Sequence, residues 1–444
     1  MIKKRGSPKI FPGWMMVITG GILSLWGHGY YTYGVSAFFK PIASELGFSR
    51  AATSAASSIG RLEGGIEGPL TGWLADKYGA KWVIFTGVFF IGLALILMYF
   101  IHSLWAYYIV WGIILGTGTN IALTVPLRTA IANWFVRKRG LAFGVQWVFS
   151  GLSGMAVLPL IAWLIEIYGW RMTCLIGGVV MWVVGLPMVW LFIKQRRPEY
   201  YGLMPDGIKM EDETSDTNQM IDRGVQYAAE IQEVEFTARQ ALRTLPYWLL
   251  IVSQAINNLI NPAMNIHMIP FLTDRGIDPL TAAGMMAIYI GAGIPARFIG
   301  GVLADRMKIR HMRFIKGGSY LIQAVGLAIF LQNPNITTIY IWFILYGFGH
   351  GASMPVTAAM TARYFGRKAF GSLQGWAHAI ITPAGVIAPI YAGWVFDNTG
   401  SYISIFTMFA VMITASGIIA FFTLPPRPPT QITSADKSAE NRPV

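Results

Sequence analysis

The chain has 444 residues, 54% of them hydrophobic and 12% charged, with a formal net charge of +13. Soluble domains carry about twice that charged fraction, so a water-soluble globular protein is excluded and an all-α integral membrane protein is implied. A single cysteine, Cys174, excludes an intrachain disulfide and any two-cysteine metal or redox motif.

Lys3, Lys4 and Arg5 precede a long apolar run with no small-residue cleavage pattern, so the first segment reads as an uncleaved helix. Twelve apolar segments follow in order, at approximately 14–39, 51–75, 82–101, 105–133, 140–166, 171–193, 246–272, 281–304, 314–331, 337–364, 369–396 and 401–424. Each is long enough to span a bilayer, some with tilt. The polar stretch 194–245 divides them six and six. The expected organisation is a bundle at 1–193, a central loop at 194–245, a second bundle at 246–424 and a tail at 425–444. The loop turns acidic at Glu211–Asp216 and reads as a solvated linker, with 236–243 compatible with a short surface helix. The tail, with Pro425, Pro426, Pro428 and Pro429, reads as disordered.

Lysine and arginine set the orientation. On the side shared by both termini and the central loop 27 are expected, and on the opposite side 4. The remaining three, Arg61, Arg128 and Arg297, sit inside predicted helices. That bias predicts a multi-pass protein of the cell inner membrane with both termini cytoplasmic.

The two halves repeat. Gly72-Trp-Leu-Ala-Asp76-Lys77-Tyr-Gly79 after helix 2 recurs as Gly301-Val-Leu-Ala-Asp305-Arg306 after helix 8. Trp134-Phe-Val-Arg137-Lys-Arg-Gly140 after helix 4 recurs as Tyr364-Phe-Gly-Arg367-Lys-Ala-Phe-Gly371 after helix 10. Two pseudo-symmetric six-helix bundles would place a solute site between them, near the midplane. The G-x-L-A-D-[KR] box resembles the signature of the major facilitator superfamily. Phe11-Pro-Gly13-Trp14, Arg197-Pro-Glu-Tyr-Tyr-Gly-Leu-Met-Pro-Asp206-Gly and Ala241-Leu-Arg-Thr-Leu-Pro-Tyr247-Trp248 resemble bacterial monocarboxylate permeases and oxalate/formate-type antiporters. The resemblance implies a cavity lined by helices 1, 4, 7 and 10. It also implies a gate built from Gly72, Asp76, Lys77, Gly79, Arg137, Gly301, Asp305 and Arg306.

Polar stripes at helical spacing add the chemistry. Helix 4 carries Thr117, Asn120, Thr124 and Arg128, and helix 10 carries Tyr346, His350, Ser353 and Thr357. Helix 7 carries Asn257, Asn261 and Asn265, helix 11 carries Gln374, His378 and Thr382, and helix 1 carries His28 and Tyr31. Such residues either line a cavity or glue helices together. The candidate substrate contacts are Arg297, Asn120, His28, Tyr31, Asn257, Asn261, His350 and His378. Arg297 lies eight residues before Asp305, about 12 Å up its helix. Its guanidinium suits a carboxylate, and it matches the helix-8 arginine that the resemblance assigns to substrate. Monocarboxylate carriers of the mammalian type have an aspartate where Gly293 stands, and oxalate-type carriers a lysine where Ala384 stands. A single cationic clamp favours a monoanion. Glu63 and Glu67 share a face of helix 2, and either couple protons or pair with Arg61 or Arg128; for Arg128, a pair with Glu67 is the expectation.

The expected function is therefore secondary transport of a small monocarboxylate anion, coupled to a proton, by alternating access, in a monomer within the lipid bilayer. The alternative is a dicarboxylate/monocarboxylate antiporter that uses Arg297 and Arg128 together. No cofactor, metal site, nucleic-acid partner or enzyme motif is expected.

Overall fold

The computed structural model describes residues 11–48, 50–208, 217–230 and 234–427. The basic residues Lys3, Lys4 and Arg5, the acidic run 211–216 and the tail from 428 onward lie outside the described residues.

Among the described residues the fold is all helical, with twelve helices of membrane length. α1 (12–46) comprises Pro12–His28, a π-helical turn at Gly29–Tyr33 and Val35–Leu46. α2 is Arg50–Tyr78, α3 Ala80–Phe100 and α4 Leu104–Trp134. α5 and α6 are the two parts of Arg139–Phe192, divided at Gly169, whose φ of 77° only glycine adopts readily. The second half contains α7 (Leu245–Thr273), α8 (Pro279–Arg306), α9 (Met312–Gln332), α10 (Ile336–Phe365), α11 (Phe370–Thr399) and α12 (Ile403–Phe421). Eight of these lie in stretches long and apolar enough to cross a bilayer on length and hydropathy alone. The other four are α1, α2, α7 and α10, where π turns, charges or polar stripes dilute the apolar face.

The halves meet where α2 packs along α11 and α5 along α8. Glycine makes this approach possible. A Cβ on Gly72 would fall 2.1 Å from the Gly371 carbonyl oxygen, and one on Gly301 would fall 2.2 Å from that of Gly140. One turn on, each box supplies an aspartate to the opposite half. Asp76 accepts from the Gly371 and Ser372 amides at 2.9 and 2.7 Å, capping α11. Asp305 accepts from the Gly140 and Leu141 amides at 2.6 and 2.7 Å, capping α5. A carboxylate at a helix N-terminus satisfies otherwise orphaned amides and favours the helix dipole. The other charges of the boxes do something else. Arg137 pairs with Glu230 at 2.5 Å, Lys77 lies over the Trp73 and Tyr78 rings, and Arg306 is exposed. Gly79 turns the chain against the Gln195 carbonyl with φ +88°.

The stretch between the bundles is not a solvated linker over its described length. Pro198–Tyr201, Thr217–Ala229 and Ala238–Leu242 are short helices, the last with a capping box from Thr237 and Gln240. Met204, Met220, Tyr227 and Ala228 bury themselves around Val136. Asp206 accepts from three successive amides of the α4–α5 loop, Val136, Arg137 and Lys138, at 2.8–3.2 Å, and from the Tyr227 hydroxyl at 3.0 Å. Burial, and then the Asp206 carboxylate, raise the Tyr227 hydroxyl above the usual phenol range. Glu199 forms a buried ion pair with Arg367 at 2.9 Å. The apolar residues responsible are Met204, in a loop, and three on the short helix Thr217–Ala229, so no membrane-length window in the sequence reveals them. Two cations counted with the loops, Lys316 and Arg363, are likewise buried within α9 and α10.

Candidate substrate site between the halves

Arg297 on α8 is 7% exposed and reaches across the seam to donate from Nη1 to the Trp147 carbonyl on α5, at 3.1 Å. Its Nε is buried without a partner. The opposite end of Trp147 holds the second arginine: the Arg128 guanidinium lies 4.9 Å from the indole centroid. Two cations, the buried Arg297 and the half-buried Arg128, one from each half, thus meet at one residue. Among the described residues no carboxylate pairs with either. Isolated charge inside a membrane protein is costly, and the usual resolution is a ligand, a partner or water.

The histidines close in around this pair. His28 lies within electrostatic reach of both arginines, His350 of Arg297 and His378 of Arg128. The His28 Nδ1 sits 3.1 Å from the Ser150 hydroxyl. Asn261 Nδ2 is 2.9 Å from His350 Nδ1, and its oxygen accepts from the Tyr289 hydroxyl at 3.0 Å. Arg297, His28, His350, His378 and Asn261 therefore gather in one region.

Others of the expected contacts also bond between helices. Asn257 donates to Gln323 on α9 at 3.1 Å, and Asn120 donates to the Gly60 carbonyl on α2 at 3.2 Å. Tyr31 is turned toward α2, its hydroxyl buried and unpartnered beside Gly60. The 3–4 residue spacing that marks a polar stripe is the same for both uses, and only the neighbouring helix distinguishes them.

The expected pair between Arg128 and Glu67 does not form. Glu63 Oε1 and Glu67 Oε1 stand 2.6 and 2.9 Å from the same Thr117 hydroxyl on α4. Both second oxygens are buried without partners. Arg61 is exposed, and the indole of Trp147 has taken Arg128. A hydroxyl has one hydrogen to give. The Thr117 hydroxyl therefore serves one of the two carboxyls at a time.

Trp147 is the residue that sequence reasoning missed. It follows Gln146 on α5 directly, but a tryptophan in a membrane helix reads as lipid-facing or core. Gly151, one turn along α5, gives Arg297 its room: a Cβ there would fall 1.7 Å from Nη1. Gly151→Ala should displace the guanidinium, a flexible end, and leave the backbone in place. The expected result is normal insertion and thermal stability with substrate KM raised about tenfold or more, the loss of a single charged hydrogen bond. Unchanged KM would mean that Arg297 is not held at this point during transport.

The Major Facilitator Superfamily matches this chain over residues 21–334 and 313–444. Monocarboxylate transporter 13 of Rattus norvegicus is 25% identical over 415 residues, covering 93% of this chain and 89% of the relative. Monocarboxylate transporter 2 of Homo sapiens is 23% identical over 421 residues, covering 93% and 86%. The crystal structure of the human organic anion transporter MFSD10 superposes with a TM-score of 0.68 at 13% identity, covering 93% of this chain and all of that one. The E. coli fucose:proton symporter does so at 0.66 and 14%, covering 93% and 98%. The two solved structures share this chain's fold, and this chain belongs to the Major Facilitator Superfamily as a multi-pass membrane transporter.

Proposed function

We propose that the protein carries small monocarboxylates across the cell inner membrane, with the connecting segment and both termini in the cytoplasm, by alternating access and as a monomer. The observation that carries this reading is Arg297, a buried guanidinium with an unpartnered Nε and no carboxylate beside it among the described residues. Its free donors match a carboxylate's two acceptors, and the named activity of the monocarboxylate transporter relatives agrees with that chemistry. Counterflow in proteoliposomes tests it: preloaded lactate or acetate should drive uptake of the labelled anion, and neutral analogues should not.

The carried proton is assigned to the Glu63–Glu67–Thr117 cluster, which supports a proton role better than an ion-pair role because no described arginine pairs with either acid. Glu67→Gln should leave carboxylate exchange running and uncouple it from proton flux, measured with a pH dye inside the vesicles. Wild-type acidification by that variant would move the proton site elsewhere.

Arg128 favours a second reading. It pairs with no carboxylate among the described residues and shares Trp147 with Arg297, an arrangement suited to the two ends of a dicarboxylate. Oxalate counterflow stronger than acetate counterflow would select it.

A further inference from the structure

On the side of the molecule that carries the connecting segment, a cavity of about 480 Å³ opens between the two halves, far from the arginine pair. Lys77 comes from the last turn of α2, Arg196 and Arg197 from the connecting segment, and Arg367 and Lys368 from the α10–α11 turn. Arg197 and Arg367 are neutralised by Glu235 and Glu199. Lys77, Arg196 and Lys368 have no carboxylate partner among the described residues. The acid in the wall, Asp76, is spent on the α11 amides. Nothing in the transport site needs these three cations. A concave wall with uncompensated charge of one sign concentrates anions, and this volume falls in the usual range for a small-ligand site.

We propose that this cavity is a second, regulatory anion site for a phosphate-bearing group, which holds the protein closed on the connecting-segment side. The Arg196 fork with the Lys77 and Lys368 point charges suits phosphate oxygens. Lys77 lies 4.6 Å over the ring of Trp73, which is 44% exposed, as a residue at the membrane interface would be. The same chemistry is offered by a free phosphorylated anion and by the headgroup of an anionic lipid. The walls come from both halves and the connecting segment, so the cavity exists only while that side is shut. An anion bound there has a differential affinity for the closed state and shifts the equilibrium toward it.

The test uses the full chain in two settings. In detergent, pyrophosphate is titrated at constant ionic strength and thermal stability is followed. In nanodiscs, phosphatidylcholine alone is compared with phosphatidylcholine plus phosphatidylglycerol. The expected result is stabilisation by one or both, weakened about tenfold or more by Lys77→Ala/Arg196→Ala/Lys368→Ala together, with Lys308→Ala/Arg310→Ala as a control that responds like wild type. Should the triple variant fold poorly, Lys368→Glu alone, at an exposed position, must show the same weakening. Stabilisation by phosphatidylglycerol only identifies the lipid headgroup; stabilisation by pyrophosphate only identifies the free anion. No stabilisation by either, or an equal response in wild type and variants, overturns the proposal. Carboxylate counterflow is read in parallel, so failure of the transport reading is seen separately.

Discussion

Arg297→Ala and Arg297→Lys both abolish carboxylate uptake in proteoliposomes, and neither unfolds the protein. The guanidinium has five donors, of which one is spent on the Trp147 carbonyl, while Nε has no partner. Removing one partner of a buried, hydrogen-bonded charge pair costs about 2–5 kcal/mol, which corresponds to about thirtyfold to several thousandfold in affinity. Lysine keeps the charge and loses the fork, so it separates point attraction from bidentate grip. Stability should move the other way. An uncompensated buried cation is a cost to the empty protein, so the alanine variant should melt at the same temperature as wild type or higher. Ligand-induced stabilisation by lactate should disappear in both variants. Uptake by Arg297→Ala within a few-fold of wild type sinks the site assignment.

Arg297 was legible in the sequence because one charge in a membrane-length apolar run has few explanations. The duplicated glycine–aspartate boxes were legible because they recur at equivalent places in the two halves. What each residue of the boxes does was not: Asp76 and Asp305 take backbone amides of the opposite half, while Arg137 and Lys77 face their own surroundings. Backbone amides carry no sequence signal, so an aspartate that caps a distant helix looks like half of an ion pair. Asn120 and Asn257 match the cavity stripe and also bond α2 and α9, contacts the sequence did not show, since periodicity gives a face of a helix and not what lies against it. The Glu63–Glu67 pairing on Thr117 needed the register between α2 and α4, which no local pattern encodes. Most of the connecting segment's architecture was hidden for the same reason. Asp206 and Glu199 stand in polar sequence and find their partners about 70 and 168 residues away.

Glu199→Gln opens the connecting-segment side of the transporter. Arg367, from the second half, donates to Glu199 at 2.9 Å, to the Asn133 carbonyl of the first half at 3.3 Å and to the Gly224 carbonyl of the connecting segment at 3.4 Å. Both members of the pair are at most 2% exposed. Taking the charge from one partner leaves the other buried and uncompensated, at about 3–5 kcal/mol. Movement apart of the halves relieves that cost by hydrating Arg367, so the penalty falls on the closed state and the equilibrium shifts by about two to four powers of ten. The natural chain contains one cysteine, Cys174, which is buried, and Cys174→Ser gives a clean background for labelling. Thr129 is fully buried beside Gly371 in the seam. A Thr129→Cys probe should label about a hundredfold faster with Glu199→Gln than without it. The double change Glu199→Leu/Arg367→Met, which removes both charges together, should restore slow labelling because an apolar replacement of similar volume is often neutral. Equal labelling rates with and without Glu199→Gln would show that the pair survives opening, and would leave the two aspartate caps as the seam's lock.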